Sequence, residues 1–157
     1  MGRVSTAALR NAVQRKAAAE KVGKKTWTIT VPRPLPSFNI WDGWSYHEQT
    51  RQKNEIWWPL VQKACHGLKF KKIPTPCTLR ITVYRKLPGR GDVLNLGTPA
   101  DKLVVDALTR PKGPKWRGVS LLLDDNYDNL RAVTLTMRTS KREDECTVLE
   151  FKKVVGA

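Results

Sequence analysis

The aspartates are the residues of this chain whose type and spacing most clearly suggest chemistry. Six of them lie in one basic-flanked stretch of a chain whose formal net charge is +15. Short carboxylates hold Mg²⁺, and bound Mg²⁺ polarises a phosphodiester and activates a water molecule against it. The pattern therefore indicates metal-assisted phosphodiester hydrolysis, with Mg²⁺ as the cofactor and Mn²⁺ as a substitute. These aspartates are Asp92, Asp101, Asp106, Asp124, Asp125 and Asp128.

The balance of basic and acidic residues indicates the class of molecule that this chain binds. The chain has 29 Lys and Arg residues against 14 Asp and Glu residues, and its pI is about 10.1. A surface this basic is typical of a nucleic-acid-binding protein. The alternatives are ribosome-like packing and binding to an anionic membrane surface. No strongly basic amphipathic helix with aromatic anchors is evident, so the membrane alternative is disfavoured.

Other features of the composition point to a cytoplasmic protein. No apolar run approaches the ~18 residues of a membrane span, and the amino terminus lacks an apolar signal core. The cysteines are Cys65, Cys77 and Cys146, with no CxxC pair among them. Their odd number and wide spacing predict reduced thiols rather than a zinc site or a disulfide framework.

The hydrophobic pattern predicts one α/β (α+β) domain over residues 26–157, preceded by a basic amino-terminal helix or arm over residues 1–25. We expect a mixed sheet of four or five strands flanked by two or three helices. The last two strands, joined by the polar segment SKRED, predict a β-hairpin. In the first helix we expect either a kink or a helix start nearer Pro59, and we expect Trp57 and Trp58 to be core residues rather than a base-stacking platform. The predicted strands are 26–32, 77–86, 130–138 and 146–154, and the predicted helices are 47–68 and 99–109.

These elements can bring the aspartates together. Asp92 follows the strand 77–86, and Asp124 and Asp125 end the apolar run 119–123. On a regular helix Lys102 and Asp106 share a face, whereas Asp101 points partly away. The alternatives are ordinary: a solvated loop aspartate, a helical ion pair between Lys102 and Asp106, and a polar turn.

Three short motifs carry a resemblance to a known family. They are D-V-L-N at 92–95, K-L-V-V-D-A-L at 102–108 and L-D-D at 123–125. Their order resembles that of the RusA-like crossover junction endodeoxyribonucleases, the Holliday junction resolvases of phage and prophage origin. The resemblance spans residues 26–138. It implies a RusA-like fold, a homodimer that cuts four-way DNA junctions in recombination and repair, and a phage-encoded protein acting in the host cytoplasm.

The resemblance also implies roles for particular residues. Asp92, Lys102 and Asp125 match its catalytic positions, and Asp92 and Asp125 match metal ligands. The family's middle aspartate falls on Leu94 here, which is a departure. The replacement carboxylate would come from Asp101, Asp106 or Asp124; otherwise catalysis is weak or absent.

Basic loops are expected to grip phosphates without reading bases. Between these cations, Trp116 would wedge into a junction, stack on an unpaired base or pack beneath its own loop. Two other functions remain open: a non-catalytic nucleic-acid-binding protein on the same scaffold, and a structural component of a ribonucleoprotein particle. The predicted nucleic-acid-binding residues are Arg85, Lys86, Arg90, Lys112, Lys115, Trp116 and Arg117.

Overall fold

The computed structural model describes residues 21–86, 93–109, 119–122, 124–139 and 145–155, without the side chains of residues 21–24 and Leu94. Its strands form one four-stranded sheet in the order β1-β4-β2-β3. Strand β4 is antiparallel to both of its neighbours, and β2 pairs with β3 in parallel. The predicted α+β fold with a mixed sheet is therefore confirmed. The strands are β1 (Lys21–Val31), β2 (Cys77–Arg85), β3 (Leu130–Thr139) and β4 (Cys146–Val155).

Alternation of apolar and polar side chains places one face of the sheet in the core. In β2, Leu79, Ile81 and Val83 are buried, whereas Arg80 between them is exposed. Successive side chains of a strand point to opposite faces, so one face meets the helices and the other carries polar residues. The same alternation buries Trp27, Ile29 and Val31 of β1.

A long, irregular helical stretch lies over this buried face. It consists of α2 (Tyr46–Arg51), a π-helical segment π1 (Gln52–Trp57) and α3 (Trp58–His66), after a short α1 (Phe38–Asp42). Pro59 has no N–H to donate, and the wider π turn directly precedes it. Of the two expectations for Pro59, the start of an α-helical segment is the one observed, because α3 begins at Trp58 with Pro59 in its first turn. Trp57 and Trp58 are core residues, as predicted.

A second helical stretch connects β2 to β3. A 3₁₀ turn (Val93–Leu96) leads into α4 (Gly97–Ala100), a second π-helical segment π2 (Asp101–Val105) and α5 (Asp106–Leu108). We call residues 97–108 the crossover helix, because they join two parallel strands. None of the helices in the described ranges is long and apolar enough to cross a membrane.

The predicted hairpin between the last two strands is wrong. Strands β3 and β4 lie on opposite sides of β2, with β3 parallel to β2 and β4 antiparallel to it. Strand β4 pairs with β1 and β2 at once, so both its edges are taken by strands other than β3. A short polar segment between two strands suits a hairpin, but partner choice here follows from burying β4 at the centre of the sheet.

The start of β1 differs from expectation. Strand β1 begins at Lys21, inside the segment assigned to the amino-terminal arm, because Lys21 and Val22 pair with the end of β4. The rest of the predicted arm, residues 1–20, lies outside the described residues. The apolar run 119–123 was expected in the core, and its Leu121 and Leu122 are buried there. They occupy a loop, where the Ile73 N–H donates to the Leu121 carbonyl.

The register of β4 makes a testable prediction about stability. Leu149 is fully buried, whereas its neighbour Val148 points to the other face of the sheet and is half buried. Leu149→Ala should lower the free energy of unfolding by about 2–5 kcal/mol. Val148→Ala, the matched control, should cost less than about half of that. Urea denaturation of both variants checks the register, and equal losses would mean that the assigned faces are incorrect.

Candidate metal centre

Three carboxylates meet at one place on the surface. One oxygen from each of Asp101, Asp106 and Asp125 lies within 4.8 Å of the other two. Asp106 is buried, Asp101 is half buried and Asp125 is exposed, so the group opens to solvent on the Asp125 side. We call these residues the acidic cluster. All of its ligand atoms are carboxylate oxygens, the type that hard divalent cations prefer.

The π-helical turn explains why Asp101 belongs to the cluster. In a regular α-helix, side chains five residues apart point about 140° away from each other around the axis. In π2 the Asp106 N–H instead donates to the Asp101 carbonyl, five residues earlier. This bonding places the two residues nearly one above the other. The expectation that Asp101 points partly away from the site is therefore wrong, because it assumed α-helical spacing.

Backbone hydrogen bonds bring Asp125 to the end of the crossover helix. The Val119 N–H donates to the Ala107 carbonyl at 2.9 Å, and the Leu122 N–H donates to the Leu108 carbonyl at 2.9 Å. These bonds tie the loop before β3 to the end of α5. Asp125 follows the tied residues closely in sequence and so can reach the helix residues of the cluster.

Asp124, a predicted metal ligand, is not a member of the acidic cluster. Its Oδ1 accepts a hydrogen bond from the Asp125 N–H at 2.9 Å, and its Oδ2 accepts one from the Asn126 side chain at 3.3 Å. These local bonds are typical of a polar turn. The structure thus brings together Asp125, which matches a metal ligand of the resemblance, and two of the three replacement candidates, Asp101 and Asp106.

Two lysines lie against the cluster. Lys102 Nζ is 3.1 Å from Asp101 Oδ2 and 3.8 Å from Asp106 Oδ2. Lys53 Nζ is 3.9 Å from Asp106 Oδ2. Among the described residues, three carboxylates and two ammonium groups therefore lie close together.

The pKa values in the cluster follow from this arrangement. The hydrogen bond to Asp101 raises the pKa of Lys102, and the charges of Asp106 and Asp125 add to the effect. Lys102 thus remains protonated at neutral pH and can donate hydrogen bonds, but it cannot abstract a proton. Burial raises the pKa of Asp106, and the nearby lysines oppose that effect only in part. Ionised Asp106 therefore gains from any additional positive charge beside it.

Lys53 and Trp58 were not singled out as site residues from the sequence. The Trp58 backbone N–H donates to the Lys53 carbonyl, five residues earlier, so π1 stacks these two residues. Lys53 Nζ lies 4.7 Å from the centroid of the Trp58 ring, and the Trp58 indole N–H donates to the Lys102 carbonyl over a long 3.4 Å. The two π segments are thus joined at the cluster. No local sequence motif predicts these contacts, because they depend on how two helices that are distant in sequence pack together.

Of the remaining predicted site residues, the structure describes Arg85 and Lys86, and neither belongs to the acidic cluster. Arg85 is half buried and its Nη2 donates to the Leu35 carbonyl. Lys86 is exposed, and its backbone N–H donates to a Glu145 carboxylate oxygen at 3.0 Å. The others fall outside the described residues, so their predicted roles stay predictions: Asp92, Arg90, Lys112, Lys115, Trp116 and Arg117.

No protein-family model and no curated protein matches this chain. The site must therefore be judged by its own geometry. In octahedral Mg²⁺ coordination with Mg–O distances of about 2.1 Å, neighbouring ligand oxygens are about 3.0 Å apart and opposite ones about 4.2 Å. The 4.8 Å limit of the acidic cluster lies slightly above that range. All three donors are carboxylate oxygens, the ligand type that a hard divalent metal prefers.

Proposed function

We propose that this protein is a Mg²⁺-dependent, structure-selective DNA endonuclease that resolves four-way junctions. The observation that most supports the proposal is the convergence of Asp101, Asp106 and Asp125 within 4.8 Å, on a chain of net charge +15. A metal site on a basic protein pairs phosphodiester chemistry with a polyanionic substrate. We propose four-way junctions as the substrate because the order of the three motifs resembles that of the RusA-like resolvases.

In this proposal two residues of the crossover helix take over a missing ligand. Leu94 stands where the resemblance expects a metal-binding aspartate. Asp101 and Asp106 are aligned by π2, and both face Asp125. They supply the carboxylates that position 94 lacks. Asp92 remains a proposed additional ligand from outside the described residues.

Each member of the cluster has a distinct proposed task. Asp106, buried and placed between Lys53 and Lys102, anchors the site. Asp125, the exposed member, faces the side from which a phosphate can approach. Bound Mg²⁺ supplies an acidified water and neutralises charge on the scissile phosphate. Protonated Lys102, whose side chain is 47% exposed, donates to the phosphate oxygens on which charge develops.

The proposal predicts a strong dependence of binding on salt. A protein that neutralises six to ten phosphates loses about 10³–10⁵ in affinity between 50 and 200 mM salt, because each contact releases counterions. We expect a loss of about a thousandfold over that range for a fluorescently labelled four-way junction in EDTA. Fluorescence anisotropy measures it, and an affinity unchanged by salt would contradict binding through phosphates.

A junction has approximate two-fold symmetry and must be cut on two opposed strands. We therefore propose that the protein acts as a homodimer with two sites related by a dyad. Sedimentation equilibrium with and without junction DNA tests this: a dimer is expected at least in the complex. A monomer bound to each junction would contradict the symmetric arrangement.

One observation favours the non-catalytic alternative. Lys102 and Lys53 already pair with Asp101 and Asp106, as ammonium groups do where they take the place of a metal. A protein that uses these lysines permanently would bind branched DNA without cutting it. Incubating a four-way junction with the protein in Mg²⁺ or in EDTA separates the two functions. Nicks that appear only with Mg²⁺ support the endonuclease, and intact DNA in both supports the binding protein.

A further inference from the structure

A cavity of about 530 Å³ lies beside π1 and is separate from the residues of the acidic cluster. Its apolar wall includes Pro34, Pro36, Ile40, Trp44 and Trp57. Cavities of this size and lining are typical of sites for small organic ligands. The half-buried ring of Trp44 offers a flat surface, which suits a flat ligand. We call this cavity the tryptophan cavity.

Two buried polar atoms in the cavity wall have no hydrogen-bond partner among the described residues. They are Gln52 Oε1 and Arg85 Nε. Gln52 is only 6% exposed, and its Nε2 donates to a Glu48 carboxylate oxygen at 2.9 Å. Buried polar atoms in folded proteins are nearly always paired. An unpaired acceptor and an unpaired donor in one wall therefore indicate a ligand that carries both a donor and an acceptor.

The π1 turn, which places Lys53 beside the acidic cluster, also builds this wall. Gln52 and Trp57 are five residues apart at the two ends of π1, so the wide turn stacks them. Their neighbours Lys53 and Trp58 contact Asp106 and the Lys102 carbonyl. One helical segment thus contributes to both places.

A nucleobase satisfies these requirements. It is planar, its edge carries hydrogen-bond donors and acceptors, and it stacks on aromatic side chains once it is unpaired. Exposed Arg33 also lines the cavity and offers a charge to the attached phosphate. The net charge of +15 favours a nucleic acid over an uncharged proline-rich peptide that would use the same flat walls.

We propose that the tryptophan cavity receives an unpaired nucleobase of the nucleic acid that reaches the acidic cluster. The inference rests on the proposed function in taking DNA as the partner, and it adds a requirement for at least one unpaired base. The half-buried Trp44 stacks on the base, and Gln52 Oε1 accepts a hydrogen bond from an exocyclic or ring N–H. Arg85 Nε donates to a base carbonyl or ring nitrogen.

The test compares two DNA duplexes that differ in one base. Each carries a single-nucleotide bulge, and in one of them the bulged nucleotide is an abasic analogue. In EDTA the wild-type protein should bind the base-containing bulge about tenfold more tightly, the effect of one stacked base. Trp44→Ala should reduce that preference to about unity. Gln52→Met should reduce it by a smaller factor. Tyr46→Ala is the matched control, because Tyr46 is 79% exposed and does not line the cavity.

The outcomes separate this inference from the proposed function. Equal affinity of the wild-type protein for both duplexes overturns the nucleobase site without any variant. A loss of preference in Tyr46→Ala as large as that in Trp44→Ala also overturns it. Mg²⁺-dependent cutting of a junction, combined with equal affinity, rejects the cavity assignment and keeps the enzyme. A tenfold preference in a protein that never cuts DNA rejects the enzyme and keeps the nucleobase site.

Discussion

Asp125→Asn is expected to lower the rate of Mg²⁺-dependent junction cutting by about a hundred- to a thousandfold, the scale seen when one electrostatic contact to a transition state is removed. Asp125 is the exposed member of the acidic cluster, and the amide keeps its size while removing its charge. Single-turnover cleavage of a labelled four-way junction measures the effect. Affinity for the junction in EDTA should stay the same or rise slightly, because a negative charge near the phosphates is lost.

Asp128→Asn is the matched control for this result. Asp128 is also an exposed aspartate of the turn before β3, but it is not part of the acidic cluster. Its variant should cut at the wild-type rate. If Asp125→Asn cuts as fast as the wild-type protein, the cluster is not catalytic. If both variants lose activity equally, the turn matters for structure and the assignment of Asp125 fails.

The second large effect concerns stability and Asp106. At about a hundred times its Kd, Mg²⁺ should stabilise the wild-type fold by about 2.7 kcal/mol, because the unfolded chain has no preformed site. Asp106→Asn should abolish this gain, since Asp106 is the buried member of the cluster. Urea denaturation at neutral pH, with and without Mg²⁺, measures both values. Equal stabilisation of both proteins would show that Mg²⁺ binds elsewhere.

Without metal the same substitution has the opposite sign. Burial raises the pKa of Asp106 above its ordinary value of 3.8, so the folded state holds this proton more tightly than the unfolded state. The contribution of Asp106 to stability is therefore greatest below pH 3.8 and falls as the pH rises through the folded pKa. At neutral pH Asp106→Asn should equal or exceed the metal-free wild-type protein in stability. A marked loss would mean that the pairs with Lys53 and Lys102 outweigh the cost of burial.

Hydrophobic periodicity was sufficient to predict most of the fold. The strand 77–86, the helix 47–68 and the core tryptophans Trp57 and Trp58 follow from apolar residues at the spacing of two or about 3.6 residues. These features are local, so one sequence reveals them. The hairpin failed because strand partners depend on what each strand buries, and β4 buries both of its edges.

The candidate site was only partly predictable for a related reason. Asp106 was expected on one helix face with Lys102, and Asp125 at the end of an apolar run; the two aspartates do meet. Asp101 joins them because π2 changes the helical spacing, and no residue type in that segment signals a π turn. Lys53 joins through the packing of two helices far apart in sequence. The spacing of a regular α-helix does not predict either Asp101 or Lys53 in the cluster, because both residues lie in π-helical segments.

The measurement that bears most directly on the central claim is the location of a bound metal. Crystals of the protein with junction DNA and Mn²⁺, examined by anomalous scattering, should show Mn²⁺ at coordination distance from oxygens of Asp101, Asp106 and Asp125, with Lys102 Nζ moved away from Asp101. An acidic cluster that remains paired with Lys102 and Lys53, without Mn²⁺ beside bound DNA, would contradict the account.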